Sequence, residues 1–108
     1  MINIELKKFI KKEDKRLKKY YPNVENGEKR ILARTVKLSE ELGELCNEVL
    51  HYNSMQRKEK SIKHDPSNLS QEFADVIIVT LLLAEAMKVD VEKGLKEKIK
   101  KINIRYKK

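Results

Sequence analysis

The segment from about Glu28 to Tyr52 contains no proline, and its apolar residues recur at steps of three and four positions. The recurring residues are Ile31, Leu38, Leu42, Leu45 and Val49. That spacing predicts one long α-helix with an apolar stripe that other elements must cover. The whole chain has only three glycines and two prolines, and 6% of its residues are aromatic. This composition favours helices over a sheet as the covering elements.

Three further helices are predicted from the same spacing and from helix-ending residues. The first runs from about Asn3 to Tyr20, the third from Asn68 or Ser70 to about Lys88, and the last follows Asp90, a good N-cap residue. The apolar stripes are Leu6, Phe9, Ile10 and Leu17 in the first helix, and Leu95, Ile99, Ile102 and Tyr106 in the last. The prediction is therefore an all-α chain of four helices, a single domain over residues 1–108.

Two stretches stand apart from this regular pattern. The third helix is apolar on every side from Val76 to Ala84, which predicts that other helices or a partner subunit surround it. The polar, basic stretch from Asn53 to Asn68 predicts a loop; the role of its residues 54–67 is left open.

Composition also bears on location and on partners. The single cysteine, Cys46, predicts a buried free thiol in a reducing cytosol. There is no apolar run long enough to span a bilayer and no recognisable signal peptide, so we expect a cytoplasmic protein without a membrane partner. The net charge of +8 is compatible with nucleic-acid binding, with attraction of phosphate-bearing metabolites, or with an ordinary solvated lysine-rich surface. No nucleic-acid-binding motif supports the first reading.

Acidic residues lie beside the apolar stripe of two predicted helices. At about 100° per residue, Glu41 and Glu44 fall on one flank of the stripe in the second helix, whereas Glu40 points away from the core. Glu72 and Asp75 have the same i, i+3 spacing directly before the apolar stretch of the third helix. Carboxylates next to a buried face are costly unless a cation neutralises them. If the two helices pack antiparallel, all four acids meet at one place.

The ligand types narrow the choice of metal. Carboxylate oxygens without histidine or cysteine favour Mg²⁺, or Mn²⁺, over Zn²⁺. A di-iron helical bundle uses Glu-x-x-His motifs, and the sequence contains none. The residues themselves therefore predict a Mg²⁺ site between the second and third helices.

The acidic residues stand in a recognisable order. Glu40-Glu41-Leu42-Gly43-Glu44 followed by Glu72-Phe73-Ala74-Asp75 resembles the EExxE…ExxD signature of the MazG-like, all-α nucleoside triphosphate pyrophosphohydrolases. Lys37-Leu38-Ser39 before the first part and Val89-Asp90-Val91-Glu92 before the last helix are also typical of that family. The resemblance spans about residues 31–106 and leaves out the first helix and the basic stretch.

The resemblance implies a four-helix MazG-like bundle completed by dimerisation, as a homodimer or as a homotetramer built from two dimers. It implies hydrolysis of an NTP or dNTP between the α- and β-phosphates, which yields the monophosphate and pyrophosphate. Glu41, Glu44, Glu72 and Asp75 then resemble the metal ligands. A ligand carboxylate such as Glu41 or Glu44, or else Glu40, accepts the proton of the attacking water.

Substrate contacts are less well marked. Lys98, Lys101 and Arg105 of the last helix are candidates for binding phosphates, although ordinary solvated charge explains them equally well. Many relatives have an asparagine where this chain has Ile102, so the resemblance implies no asparagine contact at this position. Two alternatives stay open: phosphoribosyl-ATP pyrophosphohydrolase activity within the same superfamily, and a non-enzymatic basic helical module that binds nucleic acid or another protein.

Overall fold

The computed structural model describes residues 1–52 and 66–107. Within them lie four α-helices and no strand: α1 (Ile4–Tyr20), α2 (Gly27–Tyr52), α3 (Pro66–Met87) and α4 (Val91–Ile104). The predicted all-α fold with four helices is confirmed. The predicted loop from Asn53 to Asn68 lies outside the described residues as far as residue 65. The third helix begins at Pro66, earlier than expected, because proline suits a first helical turn, where its missing N–H is not needed.

Short polar side chains and one left-handed residue define the helix ends. The Asn3 side chain accepts a hydrogen bond from the Leu6 backbone N–H at 2.8 Å, and the Asp90 side chain accepts one from Lys93 at 3.1 Å. At the end of α3, Lys88 adopts a positive φ of 58°. This lets the N–H of Val89 donate to the carbonyl of Ala84 at 3.0 Å, a usual way to close a helix.

Helix α3 is the centre of the arrangement and packs along α2 and, over a smaller area, against α1. Arg30 of α2 donates to the carbonyl of Ala86 at 3.2 Å, and Arg34, one turn later, donates to that of Leu82 at 2.7 Å. The contact position on α3 moves towards the start of that helix as α2 advances, so the two helices are antiparallel. This is the arrangement in which the acids of both helices were expected to meet. Further along α2, the same packing brings Glu41 and Glu44 level with Glu72 and Asp75 of α3.

Helix α4 is attached mainly through its first turn. One carboxylate oxygen of Glu92 accepts a hydrogen bond from the Ile2 backbone N–H at 2.8 Å, and the other oxygen accepts one from Lys7 at 3.3 Å. The apolar residues later in the helix stay substantially exposed: Leu95 is 41% exposed and Ile99 is 45% exposed. The end of α4 therefore projects from the rest of the chain.

A buried ion-pair network joins α1, α2, α3 and the turn before α2. The Arg34 side chain is 3% exposed and donates to Asp14 at 2.7 Å and to Glu25 at 2.8 and 3.0 Å, besides its bond to Leu82. Lys18 adds a second cation at 2.9 Å from Asp14. Burial raises the pKa of the Asp14 carboxyl, but hydrogen bonds from Lys18 and Arg34 outweigh burial and hold the pKa below its ordinary value.

The apolar core is small. Among the described residues, the buried apolar side chains are Ile10, Leu82 and Ala86, and no side chain is fully buried. Two predictions of burial are wrong, because Leu42 is 49% exposed and Cys46 is exposed. Both residues lie on parts of α2 that no other described helix covers.

Among the described residues, the other helices do not surround the apolar stretch of α3. Ile77 is 53% exposed, since α1 and α2 cover only part of the helix circumference. No helix in residues 1–52 and 66–107 has both the length and the apolar character needed to cross a membrane. The cytoplasmic location stays a prediction.

Candidate metal centre

Three acids from α2 and α3 meet at the contact between these helices. Glu41, Glu72 and Asp75 each offer one carboxylate oxygen, and the three oxygens lie within 4.8 Å of one another. The i, i+3 spacing places Glu72 and Asp75 on one side of α3, and the antiparallel packing places Glu41 opposite them. The structure therefore brings three of the four predicted ligands together in one cluster.

Glu41 is the most deeply placed of these acids. It is 8% exposed, and its Oε2 atom is buried without a hydrogen-bond partner. The Oε2 atom of Glu72 is buried and unpartnered in the same way. An unsatisfied buried carboxylate oxygen costs free energy, and a bound cation removes that cost. The residues present therefore fit a divalent metal with oxygen ligands such as Mg²⁺.

Glu44 lies next to Glu41 but outside the group of three converging oxygens. The negative charge of Glu41 raises the pKa of the Glu44 carboxyl, with smaller contributions from burial, from a hydrogen bond to Glu41 and from Asp75. Glu44 is thus electrostatically part of the cluster although its side chain is exposed. The prediction that Glu44 is a ligand stays a prediction.

Like charges held together raise the pKa of Glu72 as well as that of Glu44. Burial raises the pKa of the Glu72 carboxyl, and the nearby charges of Glu44, Asp75 and Glu41 raise it further. A bound cation reverses this balance by favouring the ionised carboxylates. The cluster therefore has the electrostatic properties of a cation site.

Lys37 is a charged neighbour of this cluster to which the sequence assigned no role. Its Nζ atom lies 3.2 Å from Oε1 of Glu41, and the hydrogen bond to Glu41 raises the pKa of Lys37. A lysine four residues before a glutamate on one helix was the available signal, because such residues are neighbours on the helix surface. One lysine balances only part of the charge of several carboxylates.

Glu40 behaves as the helical phase predicted. Its side chain is 59% exposed, and it lies 3.8 Å from Lys37 on the outside of α2. Within the described chain it does not join the converging acids. A direct role for Glu40 in moving a proton therefore requires a substrate or a second subunit on that side.

The three predicted phosphate ligands lie elsewhere. Lys98 and Lys101 are exposed on α4, the helix that is attached mainly through its first turn, and the exposed Arg105 directly follows this helix. In the described part of the chain, none of them forms an ion pair with an acid of the cluster. Their role as phosphate ligands stays a prediction.

An all-α chain with a cluster of carboxylates between two antiparallel helices defines a class of helical proteins with a candidate divalent-metal site. The profile of the MazG nucleotide pyrophosphohydrolase domain matches residues 29–108. The chain belongs to this family. It is also 34% identical over 76 residues to the uncharacterized protein YpjD of Bacillus subtilis (strain 168), covering 70% of this chain and 67% of that protein. No solved structure shows a significant match.

Proposed function

We propose that this protein is a Mg²⁺-dependent nucleotide pyrophosphohydrolase that cleaves an NTP or dNTP between the α- and β-phosphates. The products are the nucleoside monophosphate and pyrophosphate. The observation that carries the proposal is the buried carboxylate of Glu41, one oxygen of which has no hydrogen-bond partner. One carboxylate oxygen from each of Glu41, Glu72 and Asp75 lies within 4.8 Å of the other two. Membership of the MazG family supports the reaction class.

The metal ligands in this proposal are Glu41, Glu72 and Asp75, with Glu44 as the fourth. Mg²⁺ is the proposed ion and Mn²⁺ a substitute, because both accept carboxylate ligands. When bound, the ion supplies neutralisation of the phosphate oxygens and lowers the pKa of a coordinated water. The role of the acids is to hold that charge in place at the contact between α2 and α3.

Water activation requires a carboxylate that can accept a proton. Glu44 is the best-placed candidate, because its side chain is exposed beside the cluster, where a coordinated water can reach it. Glu41 is less suited because it is buried, and Glu40 because it points away from the cluster.

Phosphate binding is assigned to Lys98, Lys101 and Arg105 in this proposal. They lie on one flank of α4, so a phosphate chain can contact more than one of them. Since none of them reaches the acids within one chain, the proposal includes a second subunit that brings this flank to the acidic cluster.

The proposed assembly is accordingly a homodimer or a homotetramer. Large apolar side chains exposed on α3 and α4 support it: Phe73 is 50% exposed, Ile77 53% and Leu95 41%. Apolar surface of this kind marks interaction sites on proteins. A second copy that covers it would also supply the surroundings predicted for α3.

The proposal is tested by incubating the protein with Mg²⁺ and a panel of NTPs, dNTPs and phosphoribosyl-ATP, and measuring pyrophosphate release. We expect release from at least one nucleotide, and loss of most activity in Glu41→Gln and Asp75→Asn. Glu28→Gln, an exposed acid at the start of the same helix, is the matched control and keeps its activity. Absence of turnover across the panel, or full activity in Glu41→Gln, contradicts the proposal. Release from phosphoribosyl-ATP alone selects the alternative substrate.

A further inference from the structure

Helix α1 divides its eight basic residues into two sets of four. Those of the first set each have an acidic partner, with nitrogen–oxygen distances from 2.8 to 3.6 Å. The pairs are Lys7 with Glu92, Lys11 with Glu85, Arg16 with Glu13, and Lys18 with Asp14. The second set is exposed and forms no ion pair with any described residue; it consists of Lys8, Lys12, Lys15 and Lys19.

These four unpaired lysines form a straight row on the outer face of α1. Their spacing is i, i+4, i+7 and i+11, so at about 100° per residue they fall within an arc of about 60°. At 1.5 Å per residue this lysine row is about 17 Å long. Like charges four residues apart on a helix repel one another and destabilise it. Glu5 lies close to this arc, one turn before the first lysine. The row is therefore a strip of positive charge that the described chain does not neutralise.

Aromatic side chains lie along one flank of the lysine row. Phe9 is 37% exposed and Tyr20 is 66% exposed, and they are eleven residues apart, as Lys8 and Lys19 are. The guanidinium of Arg16 lies over the Phe9 ring, 5.7 Å from its centre, and Nζ of Lys19 lies 5.5 Å from the centre of the Tyr20 ring. Exposed rings next to cations offer flat surfaces on which other aromatic groups can stack.

Neither the fold nor the acidic cluster accounts for this surface. Helix α1 packs against α3 with its other face, where Ile10 is 5% exposed. The converging acids belong to α2 and α3. The profile of the family domain begins at residue 29, so α1 lies outside the matched part of the chain. A separate role for the outer face of α1 is therefore compatible with the proposed hydrolysis.

We propose that the outer face of α1 binds single-stranded nucleic acid without sequence preference. The lysine row contacts successive phosphates of the strand, and the rings of Phe9 and Tyr20 stack on its bases. Lysine acts as a point charge on phosphate and does not read base edges, so the contact carries no sequence information. The net charge of +8 attracts a polyanion from a distance.

The arrangement of α1 favours a nucleic acid over an anionic membrane. A helix that lies on a membrane buries its apolar face among the lipids. In α1 this face is turned towards the protein, since Ile10 is buried and Leu6 and Leu17 are partly buried. A row of lysines also fits a strand better than a single nucleotide, because the strand carries a phosphate at every nucleotide along the whole row.

The test is fluorescence anisotropy with a labelled oligothymidine of about 16 nucleotides, which is long enough to cover the row. EDTA in the buffer keeps the measurement independent of the proposed metal site and of hydrolysis. Four phosphate contacts on a single strand predict that the logarithm of affinity falls with the logarithm of salt concentration with a slope of about −2.8. Binding should therefore weaken about fifty-fold between about 50 and 200 mM salt.

Replacing Lys8, Lys12, Lys15 and Lys19 together by glutamine should abolish most of the binding and most of the salt dependence. The matched control replaces four exposed lysines outside α1 by glutamine, which gives the same net charge; they are Lys29, Lys93, Lys100 and Lys107. This control should keep the slope and most of the affinity. Arginine at the four positions of the row preserves the charge and should preserve binding.

Tyr20 tests the stacking separately from the charge. Tyr20→Ala should weaken binding by about tenfold with an unchanged salt slope, because one stacked base is lost and no charge is removed. Tyr20→Phe keeps the ring and should bind as the original chain does.

Four outcomes overturn the proposal. The first is no binding of the oligonucleotide at about 50 mM salt and about 100 µM protein, the weak end of non-specific affinity. The second is an equal loss in the two glutamine variants, which attributes binding to net charge alone. The third is unchanged affinity in Tyr20→Ala. The last is tighter binding to phosphatidylserine vesicles than to the oligonucleotide, which identifies a membrane surface as the partner.

Discussion

Replacing Arg34 by methionine is the sharpest test of how the helices are held together. Methionine keeps most of the length and apolar stem of arginine but removes the cation. Arg34 is 3% exposed, and its loss removes the cation paired with Glu25, which is 9% exposed, and one of the two cations paired with Asp14, which is 5% exposed. The carbonyl of Leu82 also loses a donor at 2.7 Å.

The expected loss of stability follows from this burial. Removing one partner of a buried ion pair costs about 3–5 kcal/mol, because an uncompensated charge stays behind. Adding about 1.5–3 kcal/mol for each separate hydrogen bond to a charged group would overestimate the loss, because such bonds are not additive. Domains are usually stable by only about 5–15 kcal/mol. We therefore expect Arg34→Met to lose a large part of the free energy of unfolding.

The assay is urea unfolding followed by circular dichroism, with Arg16→Met as the matched control. Arg16 pairs with Glu13 at 2.8 Å, but its side chain is 42% exposed, and exposed pairs contribute about 0–1 kcal/mol. A loss for Arg34→Met no larger than for Arg16→Met would refute the reasoning. Replacing Asp14, Glu25 and Arg34 together by apolar residues should restore part of the loss, because no buried charge is then left unpaired.

Four further results are expected. Because folding lowers the pKa of Asp14, its carboxylate contributes to the free energy of unfolding above the ordinary pKa of 3.8, and this contribution is lost as pH falls through the lowered pKa. In Asp14→Asn the free energy of unfolding should therefore depend less on pH in that range. Glu44 and Glu72 have raised pKa values, so without metal the melting temperature should fall as pH rises from about 4.5 through those values, and Mg²⁺ should reverse the fall. Saturating Mg²⁺ should raise the melting temperature of the original chain but not of Glu41→Gln, and an equal rise in both contradicts the assigned ligand. Glu40→Gln should reduce turnover less than Glu41→Gln, as steady-state rates will show, since its side chain points away from the acids.

The positions of the helices were predictable because local features determine them. Apolar spacing marked each helix, and Asp90 marked the start of the last helix through a side-chain cap that needs no distant partner. Which part of the chain or which other molecule packs against the apolar face of a helix was not predictable from local features. Periodicity shows that residues share a face but not which molecule lies against it, and so Leu42 and Cys46 were wrongly predicted to be buried.

In the candidate site, too, features set by a single helix were predictable and contacts between separate elements were not. Helical phase correctly separated the buried Glu41 from the exposed Glu40, since both lie on one regular helix. The Arg34 network was missed because its acidic partners come from α1 and from the turn before α2. The position of Lys98 relative to the acids depends on how α4 is placed, and no pattern in the sequence specifies that placement.

The most direct test of the central claim is an analysis of the products formed from a nucleoside triphosphate with Mg²⁺, by phosphorus NMR. The proposed acid cluster predicts equal amounts of monophosphate and pyrophosphate from the original chain, with little product when EDTA replaces Mg²⁺ or when Glu41 is replaced by glutamine. Release of orthophosphate and nucleoside diphosphate instead, or the same rate of product formation with EDTA, would contradict it.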